Sequence, residues 1–424
     1  MLTLKLLRER PEFVTERLAV KHFDAGTIVN EILDIDRRRR ANQVELDSCL
    51  SRQKAAASKI GMLMKNGQKA EAEEAKAEVA ALKARSAELE EADAELRQSQ
   101  DALLVLLPNL PSDIVPEGRT AEDNVTVKSG GPAPALPDGA LPHWEIVKNL
   151  DIIDFDLGVK LTGAGFPVYK GKGARLQRAL VSYFLDFNTA AGYREVQPPY
   201  MVNEASGFGT GQLPDKEGQM YQVPLDGFYL VPTAEVPVTN IYRDTILKEG
   251  DFPVMMTAYT PCWRREAGSY GKDVRGLNRL HQFDKVEIVR LELPENSYAA
   301  LDAMVAHVES LVASLNLPYR ILRLCGGDMS FTSALTYDFE VFSAAQQRWL
   351  EVSSVSNFES YQANRLKLRY RDADGKMQLA HTLNGSSLAL PRILAALIEN
   401  NQTPDGKIVV PEVLRPYTRF DIID

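Results

Sequence analysis

No run of 18 or more apolar residues occurs in this 424-residue chain, so nothing in it reads as a membrane-spanning helix. Its amino terminus, MLTLKLLRERPEF, meets charge too early to hold the apolar core of a secretory signal. Cysteine is scarce. Cys49, Cys262 and Cys325 lie far apart and in no CxxC pair, which argues against a cysteine-built metal site and suits a reducing compartment such as the cytoplasm. Also missing are a GxGxxG opening a helix and the GxxxxGK(S/T) loop, so Rossmann-type and P-loop nucleotide binding are disfavoured. The net charge of −9 means that any nucleic-acid contact must come from a local basic patch, not from the field of the whole protein.

Proline and glycine nearly vanish between Thr27 and Leu104, where Ala, Glu, Lys, Arg and Leu dominate. Leu82, Leu89, Leu96 and Leu103 recur every seven residues, with Ala72, Ala75 and Val79 continuing the seam upstream. A looser stripe runs through Ile28, Ile32, Ile35, Leu46, Leu50, Ile60 and Leu63. Asn66-Gly67 between them is a helix stop and tight turn, so the two helices must fold back as an antiparallel coiled-coil hairpin. Basic residues gather on the first helix, above all Arg37, Arg38, Arg39 and Arg40. Singly each is an ordinary solvated charge; together they suggest contact with a phosphate backbone.

Pro108, Pro111 and Pro116 forbid the helix to continue, and a Gly/Pro-rich loop follows. From Trp144 onward helical segments alternate with adjacent strand-like ones (GFYLV, VMMTAYTPCW, KVEIVRLEL, TYDFEVF), which predicts an α+β domain around an antiparallel sheet.

The segment TPCWRREAGSYGKDVRGLNRLHQFDKVEIV reads as two strands joined by a long loop. Period-two geometry puts Arg264 and Glu266 on one face of the first strand, and Phe283, Lys285 and Glu287 on one face of the second. A cation, acids and an aromatic platform suit a phosphate ester carrying a purine. Cross-strand ion pairs on an exposed hairpin explain the same residues equally well. Three further segments add chemistry. LVPTAEVPVTN sets Thr233 and Glu235 on a short turn. WLEVSSVSNF sets Glu351, Ser353 and Ser354 at the end of a strand, hard oxygen groups suited to Mg²⁺. AHTLNGSSLALPRILAALIEN leads a strand or turn, with Ser386, into a helix holding Arg392.

Taken together these segments resemble the three signature motifs of class II aminoacyl-tRNA synthetases. GYREVQPPYMVN is similar to motif 1 at the dimer interface, CWRREAGSYG…RLHQFDKVE to motif 2, and HTLNGSSLALPRILAALIEN to motif 3. The stretches GTGQLPDKEGQMYQV, TAEVPVTN, EVSSVSNFESYQANR and VVPEVLRPY, with the N-terminal helix pair, resemble the seryl-tRNA synthetases in particular, over essentially the whole chain.

That resemblance implies a tRNA-binding domain over residues 1–112, its helical hairpin at about 27–104, and a class II catalytic domain over 113–424. It implies that Arg264 bridges the ATP α-phosphate and the serine carboxylate, helped by the neighbouring Arg265. Glu266 would meet the adenine edge, Phe283 stack below it and Leu280 line its side. Arg279 and Arg392 would grip the β- and γ-phosphates, and Arg264 with Arg392 would be the catalytic pair. Glu351, Val352, Ser353 and Ser354 would face ATP, with Glu351 and Ser354 on its Mg²⁺. Thr233, Ala234, Glu235, Glu287 and Ser386 would surround L-serine. Partners implied are ATP, L-serine, tRNA(Ser), tRNA(Sec) where the host has one, and a second copy of the chain. The mechanism needs no basic histidine, and His281 reads as a loop-positioning residue. Where cysteine is frequent in relatives this chain has Val355, and no zinc is expected. A ligase that loads a carrier protein would lack so long an arm; a dead coiled-coil scaffold would have lost Arg264, Glu287, Glu351 or Arg392, and all four are present.

Overall fold

The computed structural model describes every residue except 134, 135, 216 and 267–274. The chain divides into two compact units, residues 1–19 with 23–108, and residues 20–22 with 109–424.

The first unit contains helices α1 (Leu4–Glu9), α2 (Pro11–Ala19), α3 (Gly26–Lys65) and α4 (Lys69–Leu104). Asn66 ends α3 and Gly67, at φ 77°, makes the reversal, so the helical hairpin forms where the sequence predicts it. The seam differs in detail. Leu46, Cys49, Leu82 and Leu89 form its apolar cluster, whereas Leu50 is 44% exposed. A 3.6-residue helix drifts out of a strict seven-residue register, and here Cys49 takes the inward place.

Polar groups interrupt the seam. Buried Asp36 accepts hydrogen bonds from Arg8 and, at 3.1 Å, from Arg40. The Arg8 hydrogen bond is the main reason that its carboxyl stays below the ordinary range. Arg39 turns toward the partner helix, reaching Asp93 at 3.1 Å and Gln100 at 2.8 Å. The four-arginine run is therefore not one solvated patch. Arg39 ties the helices together, Arg37 and Arg40 pair with Asp34 and Asp36 on their own helix, and Arg38 is exposed with no ion pair among the described residues.

The second unit is built on an eight-stranded sheet. In chain order its strands are β1 (Val125–Gly130), β2 (Arg194–Glu195), β3 (Val254–Trp263), β4 (Gln282–Glu292), β5 (Tyr319–Arg323), β6 (Leu335–Ser343), β7 (Arg348–Asn357) and β8 (His381–Ala389). Their spatial order is β1-β5-β6-β7-β8-β4-β3-β2, antiparallel throughout except where β2 runs parallel to β3. Helices α5 (His143–Asn149), α6 (Gly171–Ala190), α7 (Glu235–Asn240), α8 (Ser297–Ser314), α9 (Ser360–Leu366) and α10 (Leu390–Asn400) surround it. Apolar faces of α6, α8 and α10, including Phe184, Leu301, Val308, Leu394 and Leu397, close over sheet residues such as Ile288, Phe339 and Val341 to form the main core. Pro391 lies in the first turn of α10, where a missing backbone donor does no harm. Val355 is fully buried beside Gly385, where any side chain on residue 385 would press on it. The fold is α+β, with a helical hairpin followed by an antiparallel sheet flanked by helices.

Candidate active site

Strands β3 and β4 pair residue for residue from Trp263 opposite Gln282 to Val254 opposite Leu291. Alternation along β4 puts Lys285 and Glu287 on one face, and they form an ion pair at 2.7 Å with both side chains buried. The expectation for the other strand fails. β3 ends at Trp263, so Arg264 and Glu266 lie beyond it and no strand alternation aligns them. Glu266 instead adopts φ 48° and meets Arg279 Nη1 through Oε2 at 2.7 Å.

Around Glu287 the chain brings together four remote segments. Thr233 donates to Glu287 Oε2 at a long 3.4 Å and accepts the Glu235 N–H at 3.2 Å. Ala234 is fully buried behind them, and Glu235 opens α7. On the adjacent strand, Ser386 of β8 lies directly opposite Glu287, and its carbonyl accepts the Ser353 hydroxyl at 2.6 Å. Gln362 of α9 donates to Glu235 at 2.6 Å and accepts from Thr382 at 2.6 Å. Burial, and after it the charge of Glu287, pushes the Glu235 carboxyl up to about 7. The result is a buried cluster of carboxylates and hydroxyls into which Lys285 also reaches. Sequence reasoning set Lys285 beside Glu287 but gave no role to Gln362 or Thr382; only the fold supplies the neighbours of those two.

At the other end stand the arginines. Arg264 hydrogen-bonds through Nε to Pro232 O at 3.3 Å, and its guanidinium lies 5.3 Å from the centre of the Phe283 ring. His281 braces it from behind: its ring stacks on Phe166, its Nδ1 is 3.1 Å from Arg264 O, and its carbonyl accepts the Arg264 N–H. Arg265 packs over Tyr221 and donates its N–H to Gln219 O, and Leu280 is buried in the main core. Arg392 ties the turn before β4 to strand β7, donating to Asn278 O at 3.0 Å and to Glu351 O at 2.8 Å. Arg279, Arg348 and Arg392 line a cavity of about 300 Å³ together with Asn278, Trp349, Leu350, Glu340 and Glu351.

Glu351 and Ser354 lie in the middle of β7, not at its end. Three residues apart, they would face opposite ways in a regular strand. Pairing with β6 steps from Ser353 to Glu351 while β6 advances one residue, so Val352 is an inserted bulge residue. That extra residue turns Val352 into the core and allows Glu351 and Ser354 to share a face. Asp338, opposite Ser354, is raised well above the ordinary carboxyl range by burial and then by the charge of Glu351, and its Oδ1 has no hydrogen-bond partner. Among the described residues no group of three or more His, Cys, Asp or Glu could hold a metal by itself. The oxygen set nevertheless suits Mg²⁺, which takes one or two carboxylates and fills its remaining positions with phosphate and water. Sequence analysis did not single out Asp338, which only strand pairing sets opposite Ser354.

Residues 1–111 match the family described as the seryl-tRNA synthetase N-terminal domain, and residues 221–401 match the class II core domain of tRNA synthetases for G, H, P, S and T. The serine–tRNA ligase of Salinibacter ruber is 52% identical over 421 residues, covering 99% of this chain and 98% of that protein. That of Akkermansia muciniphila is 46% identical, covering 100% and 99%. The crystal structure of seryl-tRNA synthetase from Pyrococcus horikoshii complexed with ATP superposes with a TM-score of 0.94 at 33% identity, over 100% of this chain and 99% of that one.

Proposed function

Because this chain belongs to the seryl-tRNA synthetase family, we propose that it is a serine–tRNA ligase that activates L-serine with ATP and esterifies it to the 3′ end of tRNA(Ser), and of tRNA(Sec) where the host has one. The observation that carries this reading is the buried constellation of Thr233, Glu235 and Glu287 with Ser386 opposite. Serine offers an ammonium and a hydroxyl, and this pocket offers carboxylates and hydroxyl groups in a space closed to water. Alanine would leave those buried polar groups unpaired, and threonine would crowd them.

In the proposed reaction Arg264 holds the serine carboxylate against the α-phosphate while Phe283 and Glu266 hold the adenine ring. A carboxylate oxygen attacks the α-phosphorus, the bond to the bridging oxygen breaks, and pyrophosphate leaves. Arg264 neutralises charge on the α-phosphoryl oxygens; Arg279 and Arg392 receive it on the departing pyrophosphate. Glu351 and Ser354 would hold Mg²⁺, which when bound supplies further neutralisation of phosphate charge. A terminal ribose hydroxyl of the tRNA then attacks the seryl carbonyl and AMP leaves. Residues 113–424 carry out this chemistry. Residues 1–112 grip the tRNA through exposed basic residues of α3, and two copies of the chain act together in the cytoplasm.

Serine-dependent ATP–pyrophosphate exchange without tRNA tests the reading, with alanine, threonine and cysteine as comparison amino acids. Exchange with serine alone is expected, and Arg264→Ala should abolish it. Absence of exchange with every amino acid, in a folded protein, would refute the proposal; exchange with another amino acid would overturn the serine pocket and keep the chemistry.

A further inference from the structure

Beneath the cavity that holds Arg279 and Arg392 lies a buried polar cluster to which neither the motifs nor the proposed reaction assigns a role. His143, the first residue of α5, is fully buried. Its Nδ1 lies 2.7 Å from Glu399 Oε1, and its Nε2 receives the backbone N–H of Leu277 at 2.8 Å. A ring nitrogen that accepts from an amide N–H carries no proton, and one facing a carboxylate carries it. The imidazole is thus neutral, with its proton on Nδ1.

The cluster reaches both arginines. Glu399, on the last turn of α10, also accepts the His143 N–H at 3.0 Å, Gln346 Nε2 at 2.9 Å and the Ser343 hydroxyl. Gln346 in turn accepts from Asn278 Nδ2 at 2.8 Å, and Asn278 O accepts from Arg392 Nε. Leu277 and Asn278 immediately precede Arg279, while Arg392 and Glu399 are two turns apart on one face of α10. The approach is close. A side chain on Gly276, which has φ 66°, would lie 2.2 Å from His143 Nε2. One residue further back, Arg275 lies over the Trp144 ring and pairs with Glu145 at 3.2 Å. The segment leading into Arg279 is therefore clamped to α5 at successive residues.

A buried histidine with two partners is most often just a satisfied core residue. The difference here is what hangs from its partners: the backbone entering one phosphate arginine and the helix bearing the other. We propose that His143 is a positioning residue for the polyphosphate of ATP, accepting the Leu277 N–H while donating to Glu399 so that Arg279 and Arg392 stand in fixed register. The inference rests on the reading of this chain as an ATP-using synthetase.

The test compares His143→Asn with His143→Gln. An asparagine amide can replace Nδ1 and keep the Glu399 bond, and a glutamine amide can replace Nε2 and keep the Leu277 bond. Gln346→Ala, in a half-buried turn, breaks the route to Asn278 and removes a long 3.4 Å contact with His143 Nδ1, but leaves the imidazole's bonds to Glu399 and Leu277 in place. For each protein the KM values for ATP and serine are measured by exchange, the ATP dissociation constant by calorimetry, and the Tm by calorimetric melting. Loss of the Leu277 bond in His143→Asn should raise the ATP constants by about tenfold, the value of one buried hydrogen bond. The serine KM should stay within about twofold, since no bond of the serine pocket is removed. His143→Gln should restore most of the ATP affinity, and Gln346→Ala should weaken ATP severalfold. Equal rises for ATP and serine, a lower Tm with unchanged ATP affinity, or glutamine worse than asparagine would each overturn the proposal. If neither histidine variant folds, Gln346→Ala decides alone, and unchanged ATP affinity sinks the idea. A wild-type protein without serine-dependent exchange would count against the ligase reading instead, so the two failures are distinguishable.

Discussion

Glu266 and Arg279, thirteen positions apart in the chain, meet at 2.7 Å, and Arg279 also lines the cavity it shares with Arg392. Each has its own place in the proposed reaction, the acid on adenine and the cation on phosphate, so a nucleotide that uses both must separate them. The pair is partly exposed and therefore weak, worth up to about 1 kcal/mol. Removing Glu266 should remove one tie on Arg279, easing its turn toward phosphate, while removing purine recognition. In Glu266→Gln, inorganic tripolyphosphate should inhibit exchange a few-fold more strongly, and discrimination between ATP and ITP should shrink. Calorimetry and exchange kinetics measure both; stronger ATP selectivity in the variant would contradict this assignment.

Among the described residues Lys285 is the cation that pairs with the buried Glu287 carboxylate, at 2.7 Å. Breaking a buried pair from one side leaves an uncompensated charge, at about 3–5 kcal/mol. Lys285→Met should therefore lower stability by that order in urea unfolding and raise the serine KM. A loss below about 1 kcal/mol would mean that water or another cation already satisfies Glu287.

Glu235 gives the proposed serine site a pH dependence. Its folded value of about 7 lies above the ordinary carboxyl value, so between roughly pH 4.5 and 7 the folded state holds a proton that the unfolded state has lost. This group's contribution to stability accordingly falls as pH rises through that window. Binding has the opposite sign, because serine's ammonium prefers the ionised acid. Between pH 6 and 8 the serine KM should fall, with burial setting the midpoint first and the neighbouring charges of Glu287 and Lys285 moving it up and down respectively. Glu235→Gln should flatten the profile. A slope that survives in that variant would assign the titration elsewhere.

The arm makes its own prediction through Arg38 and Arg39. Arg39→Ala removes bonds to Asp93 and Gln100 and should lower the melting temperature of the helical hairpin. Arg38→Glu changes an exposed side chain and should leave melting and serine activation unaltered while weakening tRNA charging. Loss of one phosphate contact should reduce the salt-dependence slope of tRNA binding by about 1. Equal damage to activation and charging would argue against separate duties for arm and catalytic domain.

Much of this was legible in the chain. The heptads ending at Leu103, the Asn66-Gly67 stop and the proline break after Leu107 announce the hairpin, because helix period and capping are local properties. Alternation within KVEIV placed Lys285 and Glu287 on one face, and the fold agrees. The same rule misled at Arg264 and Glu266, because nothing local marks Trp263 as the last paired residue. Leu50 and Cys49 were likewise indistinguishable to a periodic template.

The architecture and the motif-bearing residues can be read from local pattern, since hydrophobic period, turn residues and short motifs are all written within a few residues of one another. Tertiary structure alone decided which charges are joined. A one-residue insertion at Val352 brings Glu351 and Ser354 to one side, strand pairing sets Ser386 against Glu287, and burial raises Glu235 and Asp338. His143 and Glu399 are 256 residues apart in the chain. Their meeting follows from packing α5 against α10, and no pattern near either residue foretells it, because buried polar partners are chosen by the space left between elements and not by the elements' own periodicity.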